Sequence, residues 1–209
     1  MNNLNQLEWL KYAVIHISDG FENMRWKKAG SLKIAWIIII LFFFSRVSEE
    51  RMYGFQFRDS YDKTFSIIPY IASSFVIFIA WVIGNNAVST FLDGEGTTIN
   101  IFIYSSYALV PYITQSFINT VLSHFLIEDE LVFMQVIEIT GTLWTAILLF
   151  SAVKAVHQYS FMRTVVSIIL TIVAMFIMLF LLILFMSLIQ QMYLFISSLY
   201  AEISYRIRV

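Results

Sequence analysis

Hydrophobic residues in this chain gather into five long stretches that shorter polar segments separate. The stretches cover residues 32–47, 67–84, 99–126, 136–156 and 165–190. A helix needs about twenty mostly apolar residues to cross a bilayer. Helices are the expected form, because lipid offers no hydrogen-bond partner to bare backbone groups. The pattern therefore predicts an all-α, polytopic integral membrane protein: one membrane domain with five transmembrane helices.

The third stretch is polar for a membrane span, and Pro111 interrupts it. It carries many hydroxyl and amide side chains, which are unfavourable against lipid. We therefore expect this segment to face other helices, either of this chain or of a partner. The alternative is that it lines a small polar path through the membrane. Hydroxyl neighbours can satisfy the backbone carbonyl that the proline frees.

Amphipathic segments flank the five stretches. In residues 1–30, helical spacing places six apolar side chains on one face: Leu7, Leu10, Ala13, Val14, Ile17 and Phe21. We expect an N-terminal interfacial helix with Trp9 and Trp26 at headgroup depth; the alternative is a helix packed on the protein's own loops. No signal-peptide pattern is present, so we expect no cleavage.

The fifth stretch is predicted to continue beyond the bilayer. No glycine or proline follows Thr164, so nothing in the sequence ends a helix there. Residues 191–209 form an extracytoplasmic amphipathic tail in this interpretation. Its apolar face holds Met192, Phe195, Ile196, Leu199 and Ile203.

Composition and charge narrow the class of protein. Hydrophobic residues make up 59% of the 209 positions and charged residues 13%, against roughly 25% charged in ordinary soluble domains. This composition excludes a soluble enzyme and a disordered chain, and a net charge of −1 excludes a nucleic-acid binder. The basic cluster from Arg25 to Lys33 adjoins the first stretch, which favours a cytoplasmic N-terminus. Five spans then place the C-terminus outside.

Few residues are candidates for chemistry. A turn in the predicted loop 85–100 contains Asp93, Gly94, Glu95 and Gly96. Its two carboxylates could bind a divalent cation only with help from other residues, so we interpret it as a tight turn that contacts a partner. Glu138 is the acidic residue nearest the hydrocarbon, and an ionisable group in a span is a functional candidate. The alternative is that Glu138 reaches water at the outer end of its helix.

No pattern for catalysis, a cofactor or a metal is found in the sequence. The three histidines, His16, His124 and His157, fall on separate segments, and cysteine is absent. We expect His157 to lie at headgroup level, beside Lys154 and Arg163. The prediction is a protein that is not an enzyme and holds neither cofactor nor metal.

Three segments carry a family resemblance. They read HISDGFENMRWKKAGSL, WVIGNNAVSTFLDGEGTTINIFIYSSYALVPYI and LWTAILLFSAVKAVHQYSFMRTVVSIILTIVAMFI, with Tyr107–Tyr112 at the core of the second. On these residues the chain resembles a bacterial member of the Yip family, whose domain is named for Rab-interacting proteins of Golgi membranes. The resemblance covers nearly the whole chain. It departs at Ile17 and Ser18, where such bacterial proteins usually have proline after the histidine.

The resemblance implies a location and a type of partner. It implies a bacterial cytoplasmic membrane protein with five spans and a cytoplasmic N-terminus, of a subtype encoded beside sugar-importing ABC permeases. We therefore expect a scaffold or accessory subunit that contacts lipids and binds membrane proteins, including permease and ATPase subunits of a carbohydrate ABC importer. Candidate interaction residues, besides the loop turn, are Tyr107, Pro111, Tyr112 and Gly141. The competing hypothesis is a small transporter or channel that uses Glu138 and the polar third span.

Overall fold

The computed structural model describes residues 5–17, 19–57 and 66–208, and within these ranges the chain forms helices and turns without a β-strand. The main helices are α1 Gln6–Ile15, α2 Gly20–Trp26, α3 Leu32–Arg51, α4 Ile68–Phe91, α5 Thr98–Ala108, α6 Val110–Leu122, α7 Leu131–His157 and α8 Phe161–Arg208. The all-α prediction is confirmed. Ser18 of the family segment and part of the first predicted outer loop lie outside the described residues.

Three of the described helices are long and apolar enough to cross a membrane. They are α4, α7 with the short turn before it (Glu128–His157), and α8 up to Arg206. The other two predicted spans do not meet that measure. Helix α3 has 20 residues but carries charged side chains at both ends, and the third predicted span is divided into α5 and α6.

The division of the third predicted span lies at Leu109, two residues before Pro111. Proline fits the first turn of a helix, because the N–H that it lacks would have no partner there. Helix α6 can therefore start at Val110 and include the proline. The sequence located the interruption to within one turn but placed it at Pro111 rather than before it.

Polar side chains of α5 and α6 point toward helices of the same chain. The Trp81 indole donates to Ser105 Oγ at 3.0 Å, and Ser116 Oγ donates to the Ser45 carbonyl at 3.1 Å. The Asn119 amide donates to a carbonyl of α7 at 3.0 Å. The polarity of this segment therefore stabilises packing between helices, which was the preferred of the two interpretations.

Helices α1 and α2 form a hairpin that packs on α5 and α7, rather than one long interfacial helix. At Gly20 a Cβ atom would lie 2.7 Å from the Cα of Ala13, so only glycine allows the two helices to approach this closely. The Trp9 ring is 6% exposed, whereas Leu7 is exposed. The expectation of Trp9 at headgroup depth is therefore corrected: its ring packs into the core. The interpretation of a helix packed on the protein itself describes α1 better.

The ends of two other helices differ from the sequence boundaries. Helix α4 continues to Phe91, so the predicted loop 85–100 is helical over its first half. Helix α8 is one uninterrupted helix of 48 residues, which confirms the predicted extension of the fifth stretch. Its first part packs on α4 and α7, while its side chains from Phe180 to Arg206, except half-buried Ser204, are exposed.

Candidate functional site

The loop between α4 and α5 packs directly on the C-terminal end of α7. A Cβ atom at Gly94 would lie 2.6 Å from His157 Nδ1, and one at Gly96 would lie 2.8 Å from the same atom. Both distances are far below a normal contact, so the two glycines are required for this approach. The turn itself begins with Asp93 in the left-handed region, at φ 51°. The turn predicted from sequence is therefore a tight packing element.

His157 is the centre of a buried hydrogen-bond network. Its side chain is 1% exposed, and the Gly96 N–H donates to its Nδ1 at 3.3 Å. The neutral ring therefore carries its proton on Nε2, which donates to Asn85 Oδ1 at 2.8 Å. Asn85 in turn donates to Thr171 Oγ1 at 3.2 Å. His157 was expected at headgroup level, and the structure shows that its ring faces the protein, because both ring nitrogens are engaged by residues of the chain.

Arg25 connects the N-terminal hairpin to this network. Its guanidinium donates to the carbonyls of Ala155 and Val156, near the C-terminus of α7, and to Glu95 Oε2 at 2.6 Å. A cation is favourable there, because the last carbonyls of a helix lack partners and carry partial negative charge. The Glu95 side chain is largely exposed, so water screens this ion pair. The contacts with the carbonyls therefore contribute more to holding α2 in place.

We call Arg25, Asn85, Glu95, Gly96 and His157 the polar cap. The polar cap joins α2, α4 and α7 with the loop between α4 and α5, and Asn85 extends it to α8. Within the part of the chain that is described, no group of three His, Asp or Glu side chains is arranged to hold a metal ion. The arrangement fixes segments relative to one another.

Tyr159 closes one side of the polar cap. Its ring is stacked on that of His157, with centroids 5.1 Å apart. The Arg163 guanidinium lies 5.9 Å from the centroid of the Tyr159 ring. The hydroxyl is buried without a partner among the described residues, and burial raises the pKa of Tyr159 above its ordinary value. Tyr159 therefore stays neutral and acts as a packing surface for the histidine.

The other predicted interaction residues are distributed along the molecule. Tyr107 is fully buried, and its hydroxyl accepts from the Ser31 N–H at 3.0 Å. Tyr112 lies near the far end of α3, where its hydroxyl donates to Glu49 at 3.0 Å. Pro111 is buried at the start of α6. These residues and the turn at Asp93–Gly96 do not form one site.

Gly141 of α7 was expected to interact with a partner. It is instead buried within the chain. A Cβ atom at Gly141 would lie 2.7 Å from the Cβ of Gln115, so Gly141 allows α6 and α7 to pack closely. The contact at Gly141 therefore lies between two helices of this chain.

Glu138 lies on the exposed surface of α7. Several polar side chains of α5 and α6 bond to other helices of the chain. Glu138 interacts electrostatically with Tyr53, and Tyr53 hydrogen-bonds Asn119 of α6. The acidic residue and the polar third span, which the transport hypothesis combines, are therefore connected through Tyr53.

Sequence reasoning missed Asn85, Arg25 and the role of His157. Asn85 and His157 are 72 positions apart and Arg25 and Glu95 are 70 apart, so no local spacing relates them. A usable signal was present in Asn85, a carboxamide at the end of an otherwise apolar stretch, where a buried polar group needs a partner.

Comparison with protein families identifies the family of this chain. The Yip1 domain matches residues 11–201. The chain belongs to the Yip1 domain family. The match to the Yip1 domain includes every residue of the polar cap and all of α2 to α7. Yip1 proteins are membrane-associated and are not known as enzymes. No curated protein and no solved structure matches the chain.

Proposed function

We propose that this Yip1 domain protein is a non-catalytic scaffold or accessory subunit that crosses a bacterial cytoplasmic membrane five times and binds other membrane proteins. The proposal places the N-terminus and the polar cap on the cytoplasmic side and the tail of α8 outside. Membership of a membrane-associated family and the three span-length helices support it.

Five crossings use two segments besides those three helices. At about 1.5 Å per residue, the 20 residues of α3 are about 30 Å long, which equals the thickness of a hydrocarbon core. Helices α5 and α6 together form the remaining crossing. Their break at Leu109 is compatible with lipid, because α5 is packed against α3, α4 and α7.

The length of α8 is the observation that carries the proposal of a partner. Its 48 residues extend about 72 Å, more than twice the roughly 30 Å of a hydrocarbon core. The end beyond the bilayer therefore exposes apolar side chains to water, among them Phe195, which is 68% exposed, and Leu199. An exposed apolar surface of this kind is typical of a site for another protein.

The partner that we expect is the one that the family resemblance implies, a membrane-embedded subunit of a carbohydrate ABC importer. The polar cap supports such a role because it fixes α2, α4, α7 and the intervening loop as one surface. The partner would then contact a rigid cytoplasmic surface and the apolar tail on the opposite side.

Photo-crosslinking in cells tests the proposal. A benzophenone amino acid replaces Phe195, on the apolar face of the tail, or Ser198, on the polar face. We expect Phe195 to give one dominant adduct with an importer subunit, identified by mass spectrometry, and Ser198 to give much less. The substitutions Phe195→Ser and Leu199→Ser should abolish copurification of the importer subunit with this chain, while Ser198→Ala should not. Equal crosslinking at both positions to many unrelated proteins would contradict a specific partner.

Transport by the chain itself remains the competing hypothesis. A liposome flux assay of the purified chain separates the two. Flux that is lost on Glu138→Gln would favour transport, and the scaffold proposal expects no flux from the chain alone.

A further inference from the structure

The turn between α2 and α3 gathers unpaired positive charge beside an exposed aromatic ring. Trp26 is 70% exposed, and Lys27, Lys28 and Lys33 are exposed as well. We call these four residues the basic corner. Among the described residues, none of the three ammonium groups has a carboxylate within ion-pair distance. The basic corner therefore presents three positive charges that the protein does not neutralise.

The basic corner is held in place by the protein beneath it. Phe21 and Met24 of α2 are fully buried. The Ser31 N–H donates to the buried Tyr107 hydroxyl at 3.0 Å. Between them the backbone turns sharply, with Lys28 at φ 49° and Gly30 at φ 115°. The turn is therefore fixed to the core on both sides, and the lysines project from a fixed base.

The basic corner also lies where α3 enters its apolar run. Immediately after Lys33 come Ile34 and Ala35, and the exposed side chains Trp36, Ile37 and Ile40 follow along α3. Tryptophan and lysine at the end of an apolar helix are typical of the headgroup region. With α3 inserted in the bilayer as proposed, the charges would lie at the depth of lipid phosphates.

We propose that the basic corner binds the headgroup phosphate of an anionic membrane lipid, with the Trp26 ring at the boundary between headgroups and acyl chains. The lipid class is one with a net negative headgroup, such as phosphatidylglycerol, and charge complementarity selects it over a zwitterionic lipid. The inference rests on the proposed insertion of α3 in the bilayer. Each lysine near an anionic surface adds roughly a fivefold preference, so three give on the order of 100-fold at low salt.

Lipid retention measured by native mass spectrometry tests this proposal. The full chain is released from nanodiscs that contain equal amounts of phosphatidylglycerol and phosphatidylcholine. The test variant is Lys27→Gln/Lys28→Gln/Lys33→Gln. The control, Lys11→Gln/Lys154→Gln/Arg206→Gln, removes the same charge from exposed positions elsewhere. Circular dichroism of each variant in detergent shows that the helices are intact.

We expect the wild type and the control to retain phosphatidylglycerol in preference to phosphatidylcholine. In the test variant, the ratio of retained phosphatidylglycerol to phosphatidylcholine should fall at least tenfold. Raising the salt concentration to 1 M should also reduce the preference, because the Debye length falls to about 3 Å. Equal retention by the test and control variants would overturn the proposal. Displacement of the lipid by millimolar inorganic phosphate would overturn it too, because it would indicate a site for a soluble anion.

A second variant and the crosslinking result together distinguish failure of the lipid proposal from failure of the scaffold proposal. Trp26→Ser removes the ring and keeps all three lysines, and we expect it to reduce retention of both lipids while the ratio between them stays above one. Loss of the partner adduct at Phe195 with normal lipid preference would count against the scaffold proposal alone. Normal adduct formation without lipid preference would count against the basic corner alone.

Discussion

Replacing Asn85 with leucine should remove the hydrogen bond between α4 and His157 of the polar cap without a large change in side-chain volume. Asn85 is fully buried, and it accepts from His157 Nε2 at 2.8 Å and donates to Thr171 Oγ1 at 3.2 Å. Leucine can make neither hydrogen bond. The His157 N–H would then be buried without a partner.

The expected loss in free energy of unfolding follows from these contacts. A buried donor left without its partner costs about 1–3 kcal/mol. The Thr171 hydroxyl still donates to the Ser167 carbonyl at 2.7 Å. Losing the hydrogen bond that it accepts from Asn85 therefore adds little to the cost. We therefore expect Asn85→Leu to reduce the free energy of unfolding by about 2 kcal/mol. Asn86→Ala is the matched control. Asn86 is half-buried, and water can replace the hydrogen bond that its Oδ1 accepts from Thr98 Oγ1 at 3.1 Å.

The assay is reversible unfolding in mixed detergent micelles, followed by the helical circular dichroism signal. A double-mutant cycle of Asn85→Leu with His157→Phe isolates the energy of the Asn85–His157 hydrogen bond. Replacing both partners with apolar groups leaves no orphaned polar atom between these two positions. We expect the double variant to lose at least ~1 kcal/mol less than the sum of the single variants. An Asn85→Leu protein as stable as Asn86→Ala, with additive effects in the cycle, would refute the network.

Two further predictions concern the packing of helices. Gly141→Val should reduce the free energy of unfolding by about 1–3 kcal/mol, because overpacking against Gln115 forces α6 and α7 apart. Thr142→Val, one position along on the exposed surface, is the control. Equal melting temperatures for the two variants would contradict the contact between Gly141 and Gln115. Arg25→Gln should release α2 from the end of α7, which limited trypsin digestion would detect as faster cleavage at Lys27, whereas unchanged cleavage would show that Arg25 does not hold the hairpin.

The helices of this fold were predictable because each of them depends mainly on local sequence. Runs of apolar residues predict α3, α4, α7 and α8, and the absence of glycine and proline after Thr164 predicts the long α8. Proline chemistry places the break in the third stretch to within two residues. These signals arise within one or two helical turns, so a single sequence contains them.

The polar cap could not be derived in the same way, because it depends on which helix ends meet. The pairs Asn85–His157 and Arg25–Glu95 join residues about 70 positions apart, and nothing in the local pattern of either residue names its partner. The turn at Gly94 and Gly96 was identified, but its contact with His157 requires the packed bundle. Trp9 was misplaced for the same reason: whether a tryptophan contacts lipid or protein depends on what packs over it.

The number of membrane crossings is the central claim, and cysteine labelling in intact cells tests it most directly. The chain has no cysteine, so each introduced thiol reports one position. Lys11→Cys and Ser160→Cys should resist a membrane-impermeant maleimide until the cells are opened. Asp129→Cys and Ser198→Cys should react in intact cells. Labelling of Lys11→Cys and Ser198→Cys from the same side would contradict five crossings.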